Sequence, residues 1–287
     1  MKAGMIGLGA MGIGMARHVA KASYLKGRYN RTVSKAQILA EELELTVYDQ
    51  PESLAANVDV VLMCVSADSD VLEMVAAVSK TIRPGAVVID MSTVSSDTAL
   101  KAAAMLAEKQ AHFLDAPVSG GVEGAKNGTL AMMVGGDTAV LEKVRPILET
   151  MAARIQHMGD TGAGQATKAV NQIMCAGINQ AVTEALAFAQ TQGLPMDKVI
   201  DVISGGASGN WFLQHRGLTM TQGKFAPGFK LALHHKDLKI CQDMAALSGF
   251  SVPLTDLTVA DYEQLMAQGF GEEDISALYR LKKPDSV

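Results

Sequence analysis

The stretch "MIGLGAMGIGMARHVAKA", which begins at Met5, constrains this chain more than any other. A short apolar run, Ala3 to Ile6, leads into Gly7, Gly9 and Gly12 in the spacing G-x-G-x-x-G, and a helical pattern follows from about Met11 to Ala22. Strand, glycine turn and helix in that order open a parallel βαβ unit. The first glycine permits the tight turn, the second lets backbone approach a pyrophosphate, and the third lets helix and strand pack closely. The helix N-terminus adds partial positive charge for phosphate. On that reading Gly7, Leu8, Gly9, Ala10, Met11 and Gly12 form a nucleotide cradle. A plain glycine-rich turn has the same local look, so the rest of the chain must decide between the two.

The chain downstream alternates. "DVVLMCV" (59–65) and "AVVID" (86–90) read as buried, valine-rich strands, 98–110 as a helix, and "HFLDAPV" and "LAMMVGG" as further strands. Such alternation predicts a mostly parallel sheet with helices on both faces and right-handed crossovers. The second strand should lie in "YLKGRYN", where Lys26, Gly27 and Arg28 are poor strand formers. After about Gly159 the pattern changes. From Gln165 to Gln192 there is no proline and one glycine, which predicts a helix roughly 40 Å long at 1.5 Å per residue. Later segments read as helices between glycine and proline turns. The expected architecture is an α/β Rossmann domain over residues 1–161, then an all-α domain over 162–287 opened by one long interdomain helix.

Composition narrows the class. At 287 residues, with 48% hydrophobic and 19% charged residues, the chain suits one or two globular domains rather than a disordered or fibrous protein. A net charge of -5 argues against a nucleic-acid partner. Cys64, Cys175 and Cys241 are scattered, which implies neither a disulfide framework nor a metal site. No apolar run approaches the roughly 20 residues that span a bilayer. A strand starting at Lys2 leaves no room for a signal peptide, so the expectation is a soluble cytoplasmic protein with no membrane partner.

An NAD-selective site carries an acidic residue about 20 positions after the glycines. Here no Asp or Glu occurs between Gly7 and Glu41, whereas Arg17, Lys21, Lys26, Arg28, Arg31 and Lys35 do. "NRT", Asn30-Arg31-Thr32, stands at the end of the second strand. A guanidinium there can pair with a 2′-phosphate and stack on adenine, which favours NADP over NAD; a solvated loop arginine is the plain alternative. In "DAPVSGGVEGAKNGTL", Ser119-Gly120-Gly121 offers a hydroxyl and unobstructed N–H groups, a nest suited to a carboxylate, unless it is only a turn between strands. In "GAGQATKAVNQIMCAGINQ", Lys168, Asn171, Gln172, Cys175 and Asn179 fall on one helical face among apolar residues. A lone helix lysine is ordinarily solvated, but a desolvated one suits proton transfer. Lys236-Asp237, in "FKLALHHKDLKI", is either a surface pair or places Lys236 toward an anionic cofactor. Adjacent His234 and His235 point in different directions and make a poor metal site. Trp211 and Phe212 follow "GGASGN" in an expected loop, as a pocket wall or as packing anchors.

These four segments together, "GLGAMG", "DAPVSGG…G…GTL", G-x-G-x-x-x-K and the late "KDL", resemble the β-hydroxyacid dehydrogenase family over nearly the whole chain. Its members include 3-hydroxyisobutyrate dehydrogenases, tartronate semialdehyde reductases and glyoxylate/succinic semialdehyde reductases. The resemblance implies an active site between the two domains, with Lys168 as general acid/base and Ser119, Gly120 and Gly121 holding a substrate carboxylate. It also implies Thr93 and Lys236 at the nicotinamide end of the cofactor, and Cys64 and Val65 beside the adenosine. Many members place an orienting Asn four residues after the lysine. Here Gln172 stands there and Asn171 precedes it, so either amide is a candidate. "DISA" (274–277) also resembles the family, with no physical account from sequence.

The implied reaction is NADPH-dependent reduction of a short aldehyde acid to its hydroxy acid, or the reverse. One rival is an imine reductase, similar in architecture but usually without this lysine; another is a non-catalytic NADP-binding scaffold on the same fold. The long helix has apolar surface to spare for a partner chain, so a homodimer or homotetramer is expected.

Overall fold

A computed structural model describes residues 1–32, 42, 43 and 45–283. Lys35 and Glu41, which entered the charge argument above, lie outside the described residues. The chain divides into two compact units, Met1–Lys168 and Ala169–Val287.

The first unit carries β1 (Ala3–Ile6), α1 (Ala10–Lys21), β2 (Leu25–Tyr29), β3 (Thr46–Val47), α2 (Pro51–Ala55), β4 (Val60–Met63), α3 (Asp68–Val78) and β5 (Val87–Asp90). It continues through α4 (Ser96–Ala107), β6 (His112–Asp115), β7 (Val118–Ser119), α5 (Gly121–Asn127), β8 (Leu130–Gly135), α6 (Thr138–Leu148) and β9 (Ala152–Gly159). The sheet order is β3-β2-β1-β4-β5-β6-β8-β7, with β9 beside β8. Strands β1 to β6 pair in parallel. Strand β8 is antiparallel to β6 and β7 and parallel to β9. β1, β4 and β5 are buried at every position, as strands covered on both faces must be. Met5, Leu62, Ile89 and Leu114 share one core cluster with Met15 and Val19 of α1, while Ile6, Val61 and Val88 share the other with Val71 and Val75 of α3. Strand order reverses between β1 and β4, and this switch point is where such sheets bind ligands.

Two readings of the sequence are refined here. "HFLDAPV" is not one strand: β6 stops at Asp115 and β7 starts at Val118, since Pro117 has no N–H for a ladder. β2 forms despite its composition, because β1 and β3 hydrogen-bond it from both sides. Arg28, in register with Met5, is fully buried there, and among the described residues none of its three guanidinium nitrogens has a hydrogen-bond partner.

α7 (Ala163–Thr191) leads from the first unit into the second, which is all helical: α8 (Met196–Ser204), α9 (Trp211–Thr221), α10 (Leu231–Leu247), α11 (Pro253–Ala267), a 3₁₀ turn (Ile275–Leu278) and α12 (Tyr279–Lys282). Its core gathers Leu186, Phe212, Leu231, Leu238, Tyr262 and Leu278. Trp211 and Phe212 open α9 rather than lying in a loop, because Asn210 caps that helix by accepting the Leu213 N–H at 2.9 Å. Phe212 enters the core, while Trp211 stays 59% exposed and stacks on His215. The "DISA" segment now has a physical role. Buried Asp274 accepts the N–H groups of Gly228, Phe229 and Ser276 and lies 3.4 Å from Arg216, tying a loop, the 3₁₀ turn and α9 together. Among the described residues, no helix is long and apolar enough to cross a membrane.

Candidate active site

Gly7 has φ +88°, and a Cβ there would sit 2.1 Å from the Cys64 carbonyl oxygen; one at Gly12 would sit 2.0 Å from that of Gly7. Packing therefore demands both glycines. At Gly9 a Cβ would meet none of the described residues within 4 Å, so this residue forms the open side of the loop. Gly9 caps α1 without a side-chain hydrogen bond, and the first turn holds no acidic residue. The N–H groups of Ala10, Met11 and Gly12 thus face outward with the positive end of the helix. Leu8 serves the loop's shape instead: its side chain is buried, and its N–H donates to Asn30 Oδ1 at 2.9 Å. Asn30 Nδ2 in turn donates to the Thr32 carbonyl at 2.8 Å. The Arg31 side chain is 75% exposed at the end of β2, with Nη1 3.0 Å from Asp70 Oδ1 in the first turn of α3. Cys64 N–H donates to the Ile6 carbonyl, and Val65 N–H to Ser92 Oγ, which sets both beside Gly7 at the switch point.

The loop after β5 carries Thr93. Beneath it, Asp90 and Asp115 end adjacent strands in register, and both are fully buried. Burial, reinforced by the carboxyls of Asp115 and Asp68, pushes Asp90 up to about 6; among the described residues its Oδ2 has no hydrogen-bond partner. Burial also raises Asp115, whose oxygens accept the Gly162 and Gln165 N–H groups at 2.8 and 2.9 Å. After β7, Gly120 and Gly121 take φ +127° and +61°, conformations that favour glycine, in the turn that follows half-buried Ser119. Lys168, on the second turn of α7, is 7% exposed.

In the second unit, Gln172 is buried and committed to protein partners. Its Nε2 donates to Asp237 Oδ2 at 2.7 Å, and its Oε1 accepts from Asn171 Nδ2 at 2.8 Å. Asp237 Oδ1 lies 2.9 Å from Lys236 Nζ. Lys236, Asp237, Gln172 and Asn171 therefore form one polar chain, and half-buried Asn171 is the amide with surface left to present. The expected polar face of α7 does not extend to Asn179, which is buried and donates to Tyr262 Oη and the Ile275 carbonyl. His234 is a core residue near Tyr262 Oη and the Gln172 carbonyl, whereas His235 lies near Glu263. Among the described residues, no group of three or more His, Cys, Asp or Glu side chains could hold a metal ion. The contacts of Asp70, Asp115, Gln165 and Asp237 escaped the sequence reading because these partners lie 39 to 73 positions away. Asp115, Gln165 and Asp237 lie in segments that stood out in the sequence, "DAPVSGG", "GAGQATK" and "KDL", but nothing local in them gives the partner.

Residues 2–159 match the family model for the NAD binding domain of 6-phosphogluconate dehydrogenase. Residues 162–282 match that for the NAD-binding domain of NADP-dependent 3-hydroxyisobutyrate dehydrogenase. The chain is 39% identical to an uncharacterized oxidoreductase of Shewanella frigidimarina, over 99% of each chain. It is 34% identical to the 2-hydroxy-3-oxopropionate reductase of Escherichia coli, over 97% of this chain and 96% of that one. Among solved structures, the 3-hydroxyisobutyrate dehydrogenase of Mycobacterium tuberculosis with L-serine is similar at a TM-score of 0.90 and 32% identity, covering 99% of each chain.

Proposed function

Because this chain belongs to the β-hydroxyacid dehydrogenase family of NAD(P)-dependent oxidoreductases, we propose that it interconverts a short aldehyde acid, of semialdehyde or glyoxylate type, and its hydroxy acid with NADP(H). The observation that carries this reading is Lys168, buried in the same unit that holds the open glycine cradle and the left-handed turn at Gly120 and Gly121.

The residues at the switch point fit a dinucleotide. Gly9 leaves the cradle unobstructed, and the first turn of α1 offers uncapped N–H groups to a pyrophosphate. Arg31, exposed and with no acidic residue at the ribose position, receives the 2′-phosphate in competition with Asp70. Cys64 and Val65 line the adenosine, and Thr93 and Lys236 lie toward the nicotinamide. When bound, the cofactor supplies or accepts a hydride. Ser119 with the Gly120 and Gly121 N–H groups holds the substrate carboxylate. Lys168, as its ammonium, gives a proton to the carbonyl oxygen during reduction and recovers it during oxidation. Asn171 orients the substrate, and Gln172 and Asp237 hold Asn171 in place. In this reading residues 1–161 bind the cofactor, residues 162–287 complete substrate recognition and make the contacts of a homodimer or homotetramer, and the enzyme works in the cytoplasm.

The test is NADPH oxidation with glyoxylate, tartronate semialdehyde, succinic semialdehyde and methylmalonate semialdehyde. Saturable turnover of at least one is expected. NADPH binding with no turnover of any of them would leave only a nucleotide-binding scaffold.

A further inference from the structure

The first turn of α7 is fastened to the ends of β5 and β6 by a residue with no role in the chemistry above. Gln165 is 1% exposed, and its amide makes two bonds to the loop after β5: Nε2 donates to the Ser92 carbonyl at 2.9 Å, and Oε1 accepts the Val94 N–H at 3.2 Å. Those two backbone groups flank Thr93 on either side. Gln165's own N–H is held by Asp115, which also takes the Gly162 N–H, so the clamp is anchored to the sheet and not only to the loop. The loop's other face is fixed as well: Ser92 N–H donates to Asp90, and Ser92 Oγ accepts the Val65 N–H. Lys168 follows Gln165 by three positions, on the same side of the helix.

We infer that Gln165 is a positioning residue, whose amide grips the backbone on both sides of Thr93 and so sets Lys168 in register with the loop after β5. The inference rests on the proposed roles of Thr93 and Lys168. A side-chain amide is the group that suits the task. It must donate to one backbone group and accept from another two residues away, and a carboxylate or an aliphatic chain of the same length cannot do both. The charged groups tied to this clamp and its loop are Asp115 on β6, which accepts the Gln165 N–H, Asp90 on β5, which accepts the Ser92 N–H, and Asp68 on α3, which accepts the Ser95 N–H, with Lys168 three positions on along α7.

Two variants test it. Gln165→Met keeps the volume and removes both bonds. It should lower kcat about 10- to 100-fold, the scale of an ångström-level misplacement, while NADPH affinity, read by fluorescence titration, changes less than about threefold because the cradle is untouched. Hydrogen exchange at the Val94 amide, measured without substrate or cofactor, should become at least about tenfold faster. Gln165→Glu sets a carboxylate oxygen against the Ser92 carbonyl when ionised, but regains the donor and acceptor of the amide when protonated. Its kcat relative to the parent should therefore rise as pH falls from 8 toward 6, since burial raises such a carboxyl. A Gln165→Met enzyme that folds and turns over within threefold of the parent overturns the assignment, as does unchanged Val94 exchange. If Gln165→Met does not fold, a Gln165→Glu profile parallel to the parent's overturns it equally. Should the parent turn over none of the aldehyde acids, the functional reading fails, and the Val94 exchange still decides the clamp.

Discussion

At the glycine loop after β1, the groups offered to a ligand are backbone N–H groups, and side chains matter chiefly by their absence. Along α7 the reverse holds. Asn171 is held by Gln172, Gln172 by Asp237, and Gln165 by Ser92 and Val94. A backbone site is shaped by where a Cβ fits, so its tolerance to substitution is steric and nearly all-or-none. A side-chain site depends on its supporting partners, so its failures are graded and reach residues that touch no ligand. The two regions are also sequence-local to different degrees: the cradle lies within Gly7–Gly12, whereas the α7 face draws on Asp115, Ser92 and Asp237.

The largest expected effect falls on the side-chain region. Lys168→Ala should lower kcat by about 10²–10⁴-fold and leave NADPH binding near normal, because the backbone cradle is intact. Lys168→Arg should not restore the rate, since a guanidinium hardly releases its proton. Turnover within a few-fold of the parent in a folded Lys168→Ala enzyme would reduce this lysine to a structural residue.

Asp90 probes the frame beneath the loop after β5. Its native carboxyl, raised from 3.8 to about 6, holds its proton where the unfolded chain has lost it. That contribution is complete below pH 4 and vanishes as pH rises through 6, a loss of about 3 kcal/mol at roughly 1.4 kcal/mol per unit. Asp90→Asn lacks this dependence, so urea unfolding should show the variant gaining on the parent between pH 4 and pH 7. Parallel stability curves would mean that the native carboxyl of Asp90 does not titrate above its unfolded value.

Arg31 is the side chain expected to read the 2′-phosphate beside the backbone site. Removing it should cost roughly 1.5–3 kcal/mol of NADPH selectivity, read as the ratio of kcat/KM for NADPH and NADH. Asp70→Asn should move the same ratio the other way, by about 2- to 5-fold, the scale of an exposed ion pair. An unchanged ratio in Arg31→Ala removes that residue from the site. The smallest change is the most discriminating for the cradle. Gly9→Ala should leave Tm nearly unaltered, since the added methyl meets nothing, yet weaken NADPH binding on the order of tenfold. Gly12→Ala should instead lower Tm, because its methyl collides with the Gly7 carbonyl. Equal behaviour of the two variants would erase the distinction between open and packed glycines.

Much of this was legible along the chain. Glycine spacing, strand–helix alternation and the long run free of proline are local patterns that backbone geometry imposes, and they announced the sheet unit, the helical unit and α7. Lys168 stood out as a cation on an apolar helix. Local propensity rated the second strand weak at Lys26, Gly27 and Arg28, yet β2 forms there because parallel neighbours on both sides stabilise it. The same reading misplaced Trp211 and Phe212, because the Asn210 cap that starts α9 was read as part of a loop.

By its local periodicity and its glycine and proline punctuation, the sequence determined the order and kind of the elements. It also determined which residue types stand at their ends. Only the tertiary structure decided which partner each buried polar group takes. Gln172 belongs to Asp237 and Asn171, Gln165 grips the backbone on either side of Thr93, and Asp115 holds the start of α7. Those pairings join residues up to 73 positions apart. They exist because a buried donor or acceptor must find a partner wherever folding brings one within reach, and sequence spacing does not record that distance.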